Sequence, residues 1–289
     1  MDAVEVATVN STPSPIAREG RTESPTTGSM VKSILPAGWK DWPSPLGFAL
    51  LVIVIWEGIV RSLDVPAYLL PPPTAIAAAV RENLSLLIVD TVVTMIEAVA
   101  GLLLAFGVAI GLSLTFARFS LVERSIMPFV VAFQAVPVIA IAPLLVLWFG
   151  NGMAGKVVMA AIICFFPAVI NLSRGLQAIR PSALVLMKSL SATPVQILRY
   201  LRIPSAMPYA FAALRISATL SVIGAIVAEI SGATRGLGFR IVISSYRTDT
   251  RMLFAALLFA VLLGLSFYFT TTLVERAVQR RRPFVRVLD

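Results

Sequence analysis

Six runs of this sequence approach or exceed the length of apolar chain that crosses a lipid hydrocarbon core. They lie at about 46–63, 90–116, 126–149, 156–174, 207–230 and 251–274. A spanning helix needs roughly 20 such residues, since each adds about 1.5 Å across a core about 30 Å thick. The expected fold class is therefore all-α, a polytopic membrane protein of about six transmembrane helices. Composition agrees: only 13% of residues are charged and 58% are hydrophobic, against about 25% charged in soluble proteins. The chain has no His and one Cys, Cys164, which lies inside an apolar run. Metal sites, thiol relays and disulfides are thereby essentially excluded, and no cofactor is expected.

Between and beyond the runs, residue types set boundaries. Residues 1–44, rich in Ser, Thr, Pro and Ala without apolar periodicity, read as a disordered tail. Residues 45–85 hold the first span and a connection in which Pro71 to Pro73 force an extended segment and Thr74 can cap a short amphipathic helix. The second span contains Gly107-Val-Ala-Ile-Gly111, a spacing that lets helices approach closely. The third is broken by Pro128, Pro137 and Pro143, which predicts an interior helix rather than a lipid-facing one. Residues 277–289 form a basic tail. With both termini in the cytoplasm, Lys and Arg divide sixteen inside to seven outside, with Arg215 in the fifth span, the asymmetry the positive-inside rule requires. The net charge of +9 is then a set of cytoplasmic anchors in contact with the bilayer, not a nucleic-acid surface.

Few residues invite chemistry. Gly150 to Lys156 spells the first seven positions of a phosphate-binding loop, but Val157 stands where Ser or Thr would hold magnesium, and no strand precedes it. ATP hydrolysis is not expected of this chain. No Ser has a nearby base and no carboxylates pair at one site, so no catalytic role is assigned. Ionisable residues inside the membrane are costly and so are functional candidates by default. Glu229, near the outer end of the fifth span, either faces water, pairs with Arg235 or Arg240, or lines a substrate path or gate. Glu97, deep in the second span, pairs with a polar group on a neighbouring helix or shares that path. Glu57 and Arg61, four residues apart, suit a local ion pair. Gln134 and Asn171 serve equally well as pore lining or as interhelical hydrogen-bond partners. Gly236 and Gly238 predict a turn before Phe239.

The longest regular connection is Arg180 to Pro208, which carries Arg180, Lys188, Arg199 and Arg202 between two spans. Pro181 can open a helix. Thr193, with Pro194 behind it and Gln196 at the third position, can open another with a capping box. That second helix is expected to end before Pro204. Two short helices on a basic cytoplasmic surface, fixed to spans at both ends, suit an element that docks a partner or transmits force. An amphipathic loop lying on lipid is the alternative.

This connection and the fifth span resemble the inner-membrane permease subunits of ABC importers, of the nitrate/sulfonate/taurine and thiamine-precursor type. In that family the cytoplasmic loop carries Glu-Ala-Ala, then Gly, then a hydrophobic-x-hydrophobic-Pro ending thirteen residues after the Gly. Here Leu201-Arg202-Ile203-Pro204 matches the ending, Ser191 falls at the Gly, and Val185-Leu186-Met187 replaces the acidic triplet. The segments LLPPPTAI, KVVMAAIICFFPAVINLSRGL and SAMPYAFAALRISATLSVIGAIVAEISGATRGLGF extend the likeness over about 66–276.

The resemblance implies a type I importer fold with its permease core at 86–276. It also implies a second permease copy in a homodimer, cytoplasmic ATPase subunits and an extracytoplasmic substrate-binding protein. Lys188, Ser189, Leu190, Ser191, Ala192, Thr193 and Pro194, with Leu201, Ile203 and Pro204, would form the ATPase-coupling loop. Because Ser replaces Gly at 191, the turn is expected to avoid positive φ. Gln134, Asn171, Glu229 and Glu97 are the candidates for the path or gate. The cargo expected is a pyrimidine precursor of thiamine, a riboflavin-like vitamin, or a small anion such as taurine, an alkanesulfonate or nitrate, crossing a bacterial inner membrane. An ion-coupled secondary transporter is the competing reading, but it needs internal repeats and several deep ionisable residues.

Overall fold

Small residues decide how this bundle packs. The computed structural model describes residues 43–281, with side chains described over 47–280. Among the described residues every regular element is helical. They are α1 (Pro43–Ser62), α2 (Pro73–Glu82), α3 (Leu84–Arg118), α4 (Ser120–Phe133), α5 (Val138–Phe149), α6 (Met153–Gln177), α7 (Pro181–Ser189), α8 (Pro194–Ile197), α9 (Ile203–Ile230), α10 (Leu237–Tyr246) and α11 (Thr250–Arg281). The chain divides at Val54. Its first part is, among the described residues, the opening of α1; the packing below is that of the unit beginning at Ile55. The tail expected at 1–44 lies almost wholly outside the described residues; of the one expected at 277–289, residues 277–281 continue α11 and the rest lie outside.

Among the described residues, four helices are long and apolar enough to cross a membrane: α3, α6, α11, and a continuous helix from Pro194 to Ile230 that includes α8 and α9. The expected first span falls on α1, whose 20 residues rise about 30 Å. The third span differs from expectation. It is two helices, α4 and α5, bent by 98°, because Pro137 opens α5 and cannot continue α4. Nor is it interior to the chain: only Val130 of α4 and Ala142 and Leu145 of α5 are buried.

α6 lies against both α3 and α9, the two most extensive helix packings among the described residues. The α3 face is a stripe of small residues four apart, Gly101, Ala105, Ala109 and Ser113, all buried. A Cβ at Gly101 would stand 2.5 Å from Ala160 Cβ, and one at Gly224 of α9 would stand 2.7 Å from Ala160 Cα. Ala160 is therefore the point where three backbones converge. Lipid tails give apolar helices no reason to associate, so close van der Waals approach supplies the attraction. The Gly107–Gly111 pair takes no part, since both positions face open space.

Thr74 does not cap α2, which begins at Pro73 with Pro72 as N-cap. The cap comes from α1: Glu57 Oε2 accepts from the Thr74 N–H at 3.0 Å, and its Oε1 accepts from Thr74 Oγ1 and from Arg61 Nε. The expected local ion pair of Glu57 and Arg61 thus also fastens α1 to α2.

Candidate functional site

Among the described residues, two of the places that combine polar groups with defined geometry stand at opposite ends of one helix. The first is the connection after α6. Pro181 opens α7 as expected, and α7 closes at Leu190 with a Schellman motif: the Ser191 N–H donates to Lys188 O at 2.9 Å and the Ala192 N–H to Met187 O at 3.0 Å. That motif needs a left-handed residue at its centre, and Ser191 has φ 55°. The expectation that Ser would avoid positive φ is therefore overturned. The turn geometry is set by the two backbone bonds, and Ser adopts it with a strain that Gly would lack.

Thr193 then caps α8 in the expected capping box: its Oγ1 accepts from the Gln196 N–H at 3.3 Å, and Gln196 Oε1 accepts from the Thr193 N–H at 2.7 Å. The helix does not end before Pro204. It passes through a π-turn at Leu198–Arg202, where the Ile203 N–H donates to Leu198 O, five residues back. The extra residue in the turn sets Pro204 at the start of α9, and a widened turn absorbs the backbone change that a proline in a regular helix would force. Lys188, Ser189, Leu190, Ser191, Thr193 and Pro194 are exposed, Ala192 and Leu201 half-buried, Ile203 and Pro204 exposed. Leu190 and Val195 each present about 70% of their surface to the outside. Behind them a cleft of about 300 Å³ separates the connection from the end of α3. Arg202 Nη1 crosses to Ala117 O at 3.1 Å.

The second place is the turn between α9 and α10. Glu229 is 1% exposed and pairs with neither Arg235 nor Arg240. Its Oε1 accepts from Thr94 Oγ1 at 2.7 Å and its Oε2 from the Gly238 N–H at 2.5 Å. Arg240 Nε reaches Asp90 Oδ2 at 2.8 Å instead. Beside this group, Lys156 Nζ bonds Glu97 Oε1 at 2.9 Å, both side chains nearly covered. The lysine of the phosphate-loop look-alike is thus consumed by an ion pair between α6 and α3. Gly236 makes the expected turn, with φ 111°, and is packed so tightly on the Glu229 carboxylate that a Cβ would collide with it.

Of the remaining candidates, Gln134 is exposed at the α4–α5 break, and Asn171 is half-buried with its amide donating to Pro167 O at 2.8 Å. The four polar candidates are not one cluster: Glu97 and Glu229 belong to the buried group, while Gln134 and Asn171 stand apart from it. Sequence reasoning passed over Asp90 and Thr94. Their signal was available, two polar residues four apart at the start of an apolar run, which places them on one helix face.

Residues 104–282 match the family described as binding-protein-dependent transport system inner membrane component. A probable ABC transporter permease protein of Haemophilus influenzae is 37% identical over 228 residues, 78% of this chain and 92% of the relative. The riboflavin transport system permease protein RibX of Chloroflexus aurantiacus is 37% identical over 246 residues, 83% and 91% of the two chains. The formylaminopyrimidine transport permease protein ThiX of Halalkalibacterium halodurans is 37% identical over 197 residues, 68% and 78%. Among solved structures, the fold matches an inward-facing form of the MetNI methionine ABC transporter with a TM-score of 0.60 and 18% identity, covering 68% of this chain and 97% of that one.

Proposed function

The chain belongs to the family of binding-protein-dependent transport system inner membrane components and is an ABC importer permease; from that premise we propose how it is driven and what it carries. The 188–204 connection is the contact for a cytoplasmic ATPase subunit. One observation carries this reading: the exposed turn around Ser191 is joined without a break to a 37-residue membrane helix, Pro194–Ile230. A push on the turn therefore moves a whole span and is not lost in a flexible linker. With the turn in the cytoplasm, both termini lie there too, in a bacterial inner membrane, and the α9–α10 turn faces outside, where a binding protein delivers the solute. The chain itself performs no catalysis; ATP hydrolysis belongs to the partner subunit. The permease core is 86–276, preceded by the first helix and its connection at 45–85.

The path forms between two copies of the chain. Ile139, Leu147 and Trp148 of α4–α5 present 68–77% of their surface, an apolar face suited to a second copy. Gln134 and Asn171 are the polar residues assigned to the path, and Glu97 and Glu229 act at its outer end. The proposed cargo is a flavin or a pyrimidine vitamin precursor, on the strength of what RibX and ThiX are named for. Uptake of labelled riboflavin and of formylaminopyrimidine by cells expressing the chain with its ATPase and binding protein tests this. Deletion of 189–194 should abolish uptake with the protein still in the membrane. Uptake of taurine or sulfonate alone would replace the cargo assignment, and normal uptake by the deletion variant would remove the coupling assignment.

A further inference from the structure

The first turn of any helix leaves backbone N–H groups without helical partners, and a residue at the N-cap usually supplies the acceptor. α10 has Gly236 at its N-cap, which has no side chain to offer. Its first three amides are instead taken by three different side chains from two other helices. The Gly236 N–H donates to Asp90 Oδ1 at 3.2 Å, the Leu237 N–H to Thr94 Oγ1 at 2.9 Å, and the Gly238 N–H to Glu229 Oε2 at 2.5 Å. Asp90 and Thr94 belong to α3, Glu229 to α9. The acceptors are themselves linked, since Thr94 Oγ1 donates to Glu229 Oε1, and Asp90 is closed by Arg240 from the second turn of α10. Asp90, Thr94, Glu229 and Leu237 are each at most 1% exposed. Water cannot replace these bonds one by one, so moving α10 away leaves buried carboxylates and amides unpaired together. Gly236 is required for the seating as well, because any side chain there would collide with the Glu229 carboxylate.

We infer that Asp90, Thr94 and Glu229 are positioning residues that make α10 a fixed extension of α3 and α9. Displacement of the Pro194 end of the continuous Pro194–Ile230 helix is then delivered to α10 on the opposite side of the membrane instead of being absorbed at the turn before Leu237. This inference rests on the permease reading and adds the means by which the cytoplasmic event reaches the outer face. A free gate hinged at Gly236 is the arrangement it excludes.

The test uses the full complex with its ATPase and binding protein. Hydrogen exchange of the 236–238 amides, read by mass spectrometry, is expected to be slow in the nucleotide-free state and equally slow in the ATP-trapped state. Loss of protection in either state overturns the inference. Thr94→Ser keeps the hydroxyl and is expected to transport like the parent. Thr94→Val removes it and should lower the maximal uptake rate per membrane-inserted copy about tenfold, with the half-saturating concentration of loaded binding protein unchanged. Equal rates for Thr94→Ser and Thr94→Val also overturn it; if Thr94→Val does not reach the membrane, the exchange comparison on the parent complex decides. Loss of uptake on deleting 189–194, beside normal uptake in Thr94→Val, would reject this inference alone. Normal uptake in both would reject the coupling reading beneath it.

Discussion

Ser217 and Cys164 bond to each other's backbone: Ser217 Oγ donates to Cys164 O at 3.2 Å, and Cys164 Sγ donates to Ser217 O at 3.0 Å. Such an exchange requires α9 and α6 to run close enough for short side chains to reach across. Between α3 and α6 the bridge is made by side chains alone, Ser173 Oγ donating to Ser113 Oγ at 3.1 Å. Close approach is thus repeated along both faces of α6, and the bundle depends on it.

A tight position in that packing, on the α9 side, is Gly224. A methyl group there would press on the Ala160 backbone, which cannot rotate away. Gly224→Ala is expected to cost about 1–3 kcal/mol, the usual penalty for overpacking. Gly107→Ala, facing open space, should be neutral or slightly stabilising, because Ala is the better helix former. Thermal denaturation of both variants in detergent checks the contrast, and equal midpoints would refute the account of the α6–α9 contact.

Glu97 and Lys156 make a nearly covered ion pair. Removing one partner strands the other charge, so Lys156→Met alone should destabilise by about 3–5 kcal/mol, whereas Lys156→Met with Glu97→Leu should recover most of it. A double-mutant cycle on detergent unfolding midpoints measures this. Additive losses would mean that the two side chains do not act as a pair.

The segments that became helices were legible because apolar run length is a strong signal: 156–174 and 251–274 lie within α6 and α11. The bend at Pro137 was not, since prolines in a run show strain without showing which way the chain turns. The small-residue stripe from Gly101 to Ser113 carries the packing while the Gly107–Gly111 pair takes no part; the four-residue repeat of small side chains, not the identity of two glycines, is the informative pattern. At the α9–α10 turn, Glu229 stood out as an ionisable residue in an apolar run, but its expected surroundings were water, Arg235 or Arg240, or a substrate path, not the buried position it occupies. Thr94, which donates to it, was not legible as its partner, because the two are 135 residues apart in sequence and only the fold brings them together.

Ser191 holds a left-handed φ inside a motif that favours Gly. Ser191→Gly should therefore relieve about 1 kcal/mol of local strain and leave transport unchanged, whereas Ser191→Val, β-branched and poorly tolerated at positive φ, should open the turn. Limited proteolysis across 185–196 reads the difference. Faster cleavage of Ser191→Gly than of the parent would show that the side chain, not the backbone bonds, holds the turn.

The π-turn at Leu198–Arg202 gives the helix one residue more than a regular turn would hold. Deleting Tyr200, an exposed member of it, removes that residue. The chain can then close as ordinary α-helix with α8 and α9 keeping nearly their rotation about the axis, since the lost residue is the surplus one, but Pro204 meets a carbonyl that the wider turn had moved aside and kinks the helix there. The turn at Ser191 would be presented in a different direction while every span keeps its length and apolar face. Deletion of Tyr200 is expected to leave the protein in the membrane at the parent level and to reduce uptake by at least about tenfold, about 1.4 kcal/mol or more of lost coupling. Uptake measured per membrane-inserted copy checks it; parental uptake would mean that the direction of the turn does not matter to the subunit that drives it.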